Sequence, residues 1–143
     1  MCSRTIAMLA GTALAVSACG SSSPAAIAPR PPAPVNLTVY IDNSRVSVSP
    51  AIVGAGPVEF IITNQASQAE SVAILRSGAS AGQPLASTAP INPQATAQIT
   101  VNFSRPGRYS VATGDGGSGS GVRAASIRIG AKRASSDNQL LQP

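Results

Sequence analysis

From Val35 onward the apolar residues fall on every second position: Val35, Leu37, Val39 and Ile41 alternate with Asn36, Thr38, Tyr40 and Asp42. A period of two places successive side chains on opposite faces of an extended chain, so this run reads as a strand with one face in a core and the other in water. Comparable runs follow around Val46 and Val48 and over 58–63, 72–75, 97–103, 109–113 and 124–129. Turn-forming strings separate them: Asp42-Asn43, Gly54-Ala55-Gly56-Pro57, Asn64-Gln65, residues 90–93, Arg105-Pro106-Gly107 and a glycine-serine loop over 114–121. Glycine supplies positive φ and proline a fixed φ without an N–H, which suits turns and weakens strand interiors. No run carries amphipathic helical spacing, so the seven short strands have no crossover helices between them. The expectation is an all-β, antiparallel Greek-key β-sandwich.

With 143 residues the chain has room for a single core. Only Phe60, Phe103, Tyr40 and Tyr109 supply large rings, and Val, Ile and Leu do the rest of the filling. The expected centre is Phe60, Ile62, Ile74, Ile99, Val101, Tyr109, Val111 and Ile127. Each, once buried, contributes roughly 1.5–3 kcal/mol.

Ahead of the alternation the composition is different. Cys2 and Cys19 are the chain's two cysteines, and both precede any strand, so no disulfide framework is available. Arg4 gives a positive start, residues 6–16 are apolar but too short to span a bilayer comfortably, and small residues follow, which is the layout of a signal peptide. The string Val16-Ser17-Ala18-Cys19 resembles the lipobox of bacterial lipoproteins. That resemblance implies removal of residues 1–18, a thioether-linked diacylglyceryl on Cys19 and acylation of the new N-terminus, by palmitate or a related chain. The chemistry uses sulfur because the thiolate is the nucleophile. Each buried methylene contributes about 0.8 kcal/mol, and two or more acyl chains hold durably. The implied address is the extracytoplasmic face of the cell membrane, in the cell envelope. Residues 19–34, rich in Ser, Ala and Pro, then read as a tether of polyproline-like character. A domain over 35–130 follows, and residues 131–143 read as a frayed tail.

The order of motifs across 35–130 is similar to that of the cupredoxins: a first strand, a Gly-Pro turn, the strand Val58-Glu59-Phe60-Ile61-Ile62-Thr63-Asn64, a strand beginning near Glu70, a Pro-Gly-x-Tyr corner ending at Tyr109, and a last strand Ser126-Ile127-Arg128-Ile129-Gly130. The family holds copper through a histidine after the Asn strand, a cysteine four residues past the corner tyrosine, and a histidine and often a methionine in the next loop. Here those places carry Glu70, Thr113 and a Gly/Ser loop, so the resemblance implies the scaffold without its copper ligands and without a cofactor. Soft sulfur and imidazole give such a site its affinity and its redox tuning. A hard cation fares little better: Glu70, Asp115, Glu59 and Asp42 are the domain's carboxylates, and Ca²⁺ takes six to eight oxygens.

Catalytic patterns are equally thin. With no histidine, imidazole-based triads are excluded, and neither Gly-x-Ser-x-Gly nor Ser-x-x-Lys occurs. Nothing in the spacing of Asp42, Glu59, Glu70 and Asp115 pairs two acids for glycosidic chemistry. The tripeptides Asn36-Leu37-Thr38 and Asn102-Phe103-Ser104 fit the N-glycosylation pattern but are incidental in a bacterial lipoprotein. Net charge is +5, and the basic residues read as scattered over a solvated surface without interleaved aromatics, which argues against nucleic acid as a partner. The expected function is a non-catalytic, metal-free module that binds or supports another envelope component, with the membrane as partner through its anchor. The runner-up is a metal-handling accessory of the cell envelope, and an enzyme acting on cell-wall polymer ranks last.

Overall fold

The computed structural model describes residues 30–78, 83–114 and 121–135. Eight strands and no helix occur among them: β1 Val35–Ile41, β2 Val46–Ser49, β3 Ile52–Asn64, β4 Val72–Arg76, β5 Ala86–Ser87, β6 Thr96–Phe103, β7 Gly107–Thr113 and β8 Ala125–Lys132. They form two layers that share β3: one runs β2-β1-β3-β6, the other β3-β8-β7-β4-β5. The inner faces meet in a core of Leu37, Val39, Ile41, Phe60, Ile62 and Val101 from the first layer and Ile74, Tyr109, Val111, Ile127 and Ile129 from the second. Of the expected centre, seven residues are buried and Ile99 packs partly buried against them. Phe103 stands between Phe60 and Tyr109 in edge-to-face contacts, with ring centroids at 6.1 and 4.7 Å. The fourth ring, Tyr40, lies 46% exposed on the polar face of β1, where its place in the alternation puts it.

The pairing is mixed rather than wholly antiparallel. β1 runs parallel to β3, with Val35 opposite Val58 and Ile41 opposite Asn64, while β6 runs antiparallel to the same strand. The start of β3 runs parallel to β8, with Ile52 opposite Arg128. Neither β1 with β3 nor β3 with β8 is joined by a direct hairpin, so no tight turn obliges these pairs to run antiparallel.

The string Gly54-Ala55-Gly56-Pro57, expected as a turn, lies inside β3 and carries the change of layer. β2 and the start of β3 both run alongside the 123–132 segment in the same sense, whereas the part of β3 from Val58 runs parallel to β1, so the chain folds back as it crosses. The chain stays hydrogen-bonded on both sides of the bend, to β8 before it and to β1 and β6 after it. Glycine is required here by space and by backbone: a Cβ on Gly54 would sit 2.5 Å from Arg133 Cγ, and Gly56 has φ +136 with Pro32 Cγ at 2.8 Å from a Cβ position. β5, two residues long, was not foreseen, and β8 runs to Lys132.

Two ends of the sandwich follow from these registers. The Asn64 end gathers Ile41, Val46, Asn64, Thr96 and Thr113. The Gly56 end gathers Pro32, Gly56, Phe103 and Arg133.

Candidate functional site

The Asn64 end brings together the residues that stand where the resemblance placed copper ligands. β4 and β7 pair Val72 with Thr113, and Gly114 N–H donates to Ser71 O at 2.8 Å, so Glu70 precedes Thr113's partner by two residues on the neighbouring strand. Thr113 is 1% exposed, and Glu70 is half-buried. The backbone of Glu70 forms an isolated antiparallel bridge with Ile91, through N–H···O contacts of 3.0 and 2.8 Å. Asp115 lies outside the described residues, as does Cys19.

The centre of this end is Asn64, whose place in the sequence marks a strand end and an Asn64-Gln65 turn. It is fully buried. Its side-chain amide donates to Gln68 O and Ile91 O, each at 2.8 Å, and its side-chain oxygen accepts from Ala66 N–H at 2.9 Å. Its main-chain oxygen accepts from Gln94 N–H at 2.7 Å, and its own N–H donates to Ala95 O at 3.0 Å. One neutral side chain thus closes the 65–70 loop and the 91–95 turn on each other. A buried amide is tolerated because donors and acceptor are all partnered. Gln94 adopts φ 63, an uncommon conformation for a non-glycine residue, at the position whose N–H reaches Asn64. The only signal in the sequence was an Asn followed by loop residues at the end of an apolar strand.

The carboxylates do not converge. The Asp42 side chain accepts from Ser44 N–H at 2.7 Å, Ser44 Oγ at 2.6 Å and Arg45 N–H at 2.9 Å, which builds the β1–β2 turn. The Ser44 hydroxyl, then the Ser44 and Arg45 N–H groups, hold its carboxyl below the usual range. Asn43 Oδ1 in the same turn accepts from Ser67 N–H at 2.8 Å, joining it to the loop after Asn64. Glu59 lies on the first layer between Asn36 and Thr100, five residues before Asn64 and about 17 Å along the strand. Among the described residues no group of three or more His, Cys, Asp or Glu is arranged to hold a metal ion. Copper of the blue type does not fit the donors either: the chain has no histidine, its cysteines are Cys2 and Cys19 and its methionines Met1 and Met8.

The Gly56 end carries a second feature. A cleft of about 420 Å³ is bordered by Pro32, Gly56, Phe103, Lys132 and Arg133. The Arg133 guanidinium crosses it, donating from Nη1 to Ala33 O at 2.6 Å and from Nη2 to Pro57 O. Ser135 Oγ donates to Arg30 O at 2.7 Å. Residues 133–135 therefore strap 30–33 across the end of the sandwich.

Solved structures of similar shape are copper proteins. Auracyanin A, a blue copper protein from Chloroflexus aurantiacus, matches with a TM-score of 0.52 and 12% identity over 68% of this chain and 99% of that one. Reduced auracyanin from Roseiflexus castenholzii matches with a TM-score of 0.49 and 13% identity over 67% and 95%. A copper-containing nitrite reductase from Thermus scotoductus SA-01 matches with a TM-score of 0.39 and 15% identity over 76% of this chain and 29% of that one. No family model and no curated protein matches the sequence. The likeness to auracyanin A establishes a cupredoxin-like fold, and at that identity it extends to the fold alone.

Proposed function

We propose that this chain is a lipid-anchored, extracytoplasmic protein whose cupredoxin-like domain acts as a non-catalytic, metal-free binding or accessory module of the cell envelope. The observation that carries the reading is a buried, fully bonded closure: Asn64 ties two loops together at the end of the sandwich where Thr113 and Glu70 stand at the positions that the resemblance gives to copper ligands. Glu70 and Thr113 offer oxygen donors and lack the soft sulfur and imidazole that a blue-copper site uses. Asp42, committed to its turn, is engaged by Ser44 and Arg45 rather than turned toward a second acid. The anchor is supported by the lipobox resemblance at Val16-Ser17-Ala18-Cys19.

Three measurements test the reading, two on protein isolated from its own membranes and one in the membranes themselves. Mass spectrometry of the N-terminal peptide is expected to start at Cys19 and to carry acyl mass, and an unmodified peptide would remove the anchor. Elemental analysis after exposure to Cu²⁺, Zn²⁺ and Ca²⁺ is expected to find less than one ion per chain. Stoichiometric retention of any of them would transfer the function to metal handling. In-membrane crosslinking is expected to capture a reproducible envelope partner.

A further inference from the structure

The fold sorts the chain's charges in a way that their spread along the sequence hides. Arg108 of β7 stands directly opposite Arg128 of β8, both exposed on the outer face of the second layer, and Lys132 follows at the end of β8. Arg105 lies in the turn that joins β6 to β7, and Arg76 ends β4 opposite Tyr109, both exposed. Arg30 and Arg133 border the cleft at the Gly56 end. The described carboxylates are elsewhere: Asp42 and Glu70 are at the Asn64 end, and Glu59 is on the other layer. Among the described residues no ion pair involves Arg76, Arg105, Arg108, Arg128 or Lys132, and the Asn64 end's Arg45 lies 3.6 Å from Asp42. Like charges directly opposite on a sheet are unfavourable. This strand pair keeps two arginines face to face, with more cations at its rim and no acid among the described residues there, which complements a negative surface.

The chain's own layout says which surface. Residue 30 is strapped to the Gly56 end by Ser135 and Arg133, so whatever precedes it leaves from the basic end. Residues 20–29, between Cys19 and the strap, reach at most about 35 Å even when fully extended. Acyl groups on Cys19 would therefore hold this end close to the headgroups, well within range for charge attraction once the domain leans onto them.

We propose that the face formed by Arg108 and Arg128, with Arg105 and Lys132 at its rim, docks on anionic phospholipid headgroups and lays the domain against the membrane with its Asn64 end turned outward. This rests on the lipid-anchor reading for its geometry. The docking chemistry itself needs no acyl chain, which allows the two to be tested apart.

The test uses the full chain with Cys19→Ser, which carries no lipid, and measures co-sedimentation with vesicles of phosphatidylcholine alone or mixed with phosphatidylglycerol. The apolar 6–16 segment contributes equally to both, so the readout is the ratio between them. Binding to the anionic vesicles is expected to be stronger and to weaken as salt is raised toward 0.15 M and beyond, with each docked cation changing partition about fivefold. Arg108→Gln with Arg128→Gln is expected to lower the anionic partition about 25-fold. Arg45→Gln with Arg123→Gln at the other end likewise removes two charges, serves as the matched charge control and is expected to leave it within about twofold. Equal partition into neutral and anionic vesicles overturns the proposal, as does an Arg108/Arg128 double variant no different from the Arg45/Arg123 one. Tighter capture by single-stranded DNA than by anionic vesicles at matched salt would assign the face to nucleic acid instead. An unacylated Cys19 in the native protein would fail the anchor while leaving the vesicle result standing.

Discussion

Asn64 and Ile91, 27 residues apart in the chain, are joined by a buried hydrogen bond of 2.8 Å from the Asn64 side-chain amide to the Ile91 carbonyl. The same amide reaches Gln68 O at 2.8 Å, and Ile91 exchanges both backbone bonds with Glu70. The end of the sandwich is therefore held by one side chain that has no apolar substitute of the same shape and function. Removing it strands buried partners that water reaches poorly.

Asn64→Ala is expected to destabilise the fold by about 2–4 kcal/mol, because Gln68 O, Ile91 O and Ala66 N–H lose their partner together. Urea denaturation measures the loss. Hydrogen exchange is expected to accelerate at 65–70 and 91–95 before it does in β7 or β8. A variant as stable as the parent would mean that the loops close on each other without the amide.

Phe103→Ala is expected to destabilise by about 3–5 kcal/mol, since the ring fills the space between Phe60 and Tyr109. Tyr109→Phe keeps the ring contact and removes only the bond from the hydroxyl to Arg105 O at 2.9 Å, so its loss is expected to be about 0.5–1.5 kcal/mol. Thermal unfolding of the two variants side by side separates packing from the corner bond.

Asp42 sets an acid limb to stability. Its carboxyl is held below the ordinary 3.8 chiefly by the Ser44 hydroxyl, so the folded state favours the charged form more than the unfolded state does. The stabilisation is complete above the unfolded value and drains away as pH falls through the lowered one. Asp42→Asn keeps an oxygen for the Ser44 and Arg45 N–H groups but does not titrate there. Its stability is expected to fall less steeply than the parent's as pH drops below the ordinary carboxylate value, as followed by urea midpoints.

Gly56→Ala is expected to destabilise by more than about 1 kcal/mol, from the φ of +136 together with a methyl 2.8 Å from Pro32 Cγ and 2.9 Å from Arg133 Nη2. Relief of that crowding displaces the strap, so limited trypsin digestion is expected to cut after Arg133 sooner in the variant. Equal cleavage rates would show that the strap does not depend on the close approach.

The strands were legible where the pattern is local. β1 and β6 alternate cleanly, and the register they adopt buries Leu37, Val39, Val101 and Phe103 on one face. Glu70 and Thr113 were linked in the sequence only by the resemblance, and it is the β4–β7 ladder that sets them at one end. Ala86–Ser87 carried no signal, since two small residues have no period. The parallel pairing of β1 with β3 could not be read from either strand, because direction is set by the path of the chain between them. Gly54 and Pro57 pointed to a turn, and the reversal is there, but continuous pairing around it depends on Arg133 and on β8, over seventy residues away. The Asn64 closure and the sorting of arginines onto one face are likewise properties of proximity. Arg108 and Arg128, 20 positions apart in the sequence, become neighbours only through the β7–β8 ladder.

Ser135 meets Arg30 across 105 residues, and Arg133 meets Ala33 across 100, so the two extremities of the folded body are a hydrogen bond apart. Topologically the domain is a ring lacking one covalent link. A short peptide splice from 135 back to 30 would close it, and new termini opened at the exposed Ser77-Gly78 bend would give a circularly permuted chain with the same native contacts.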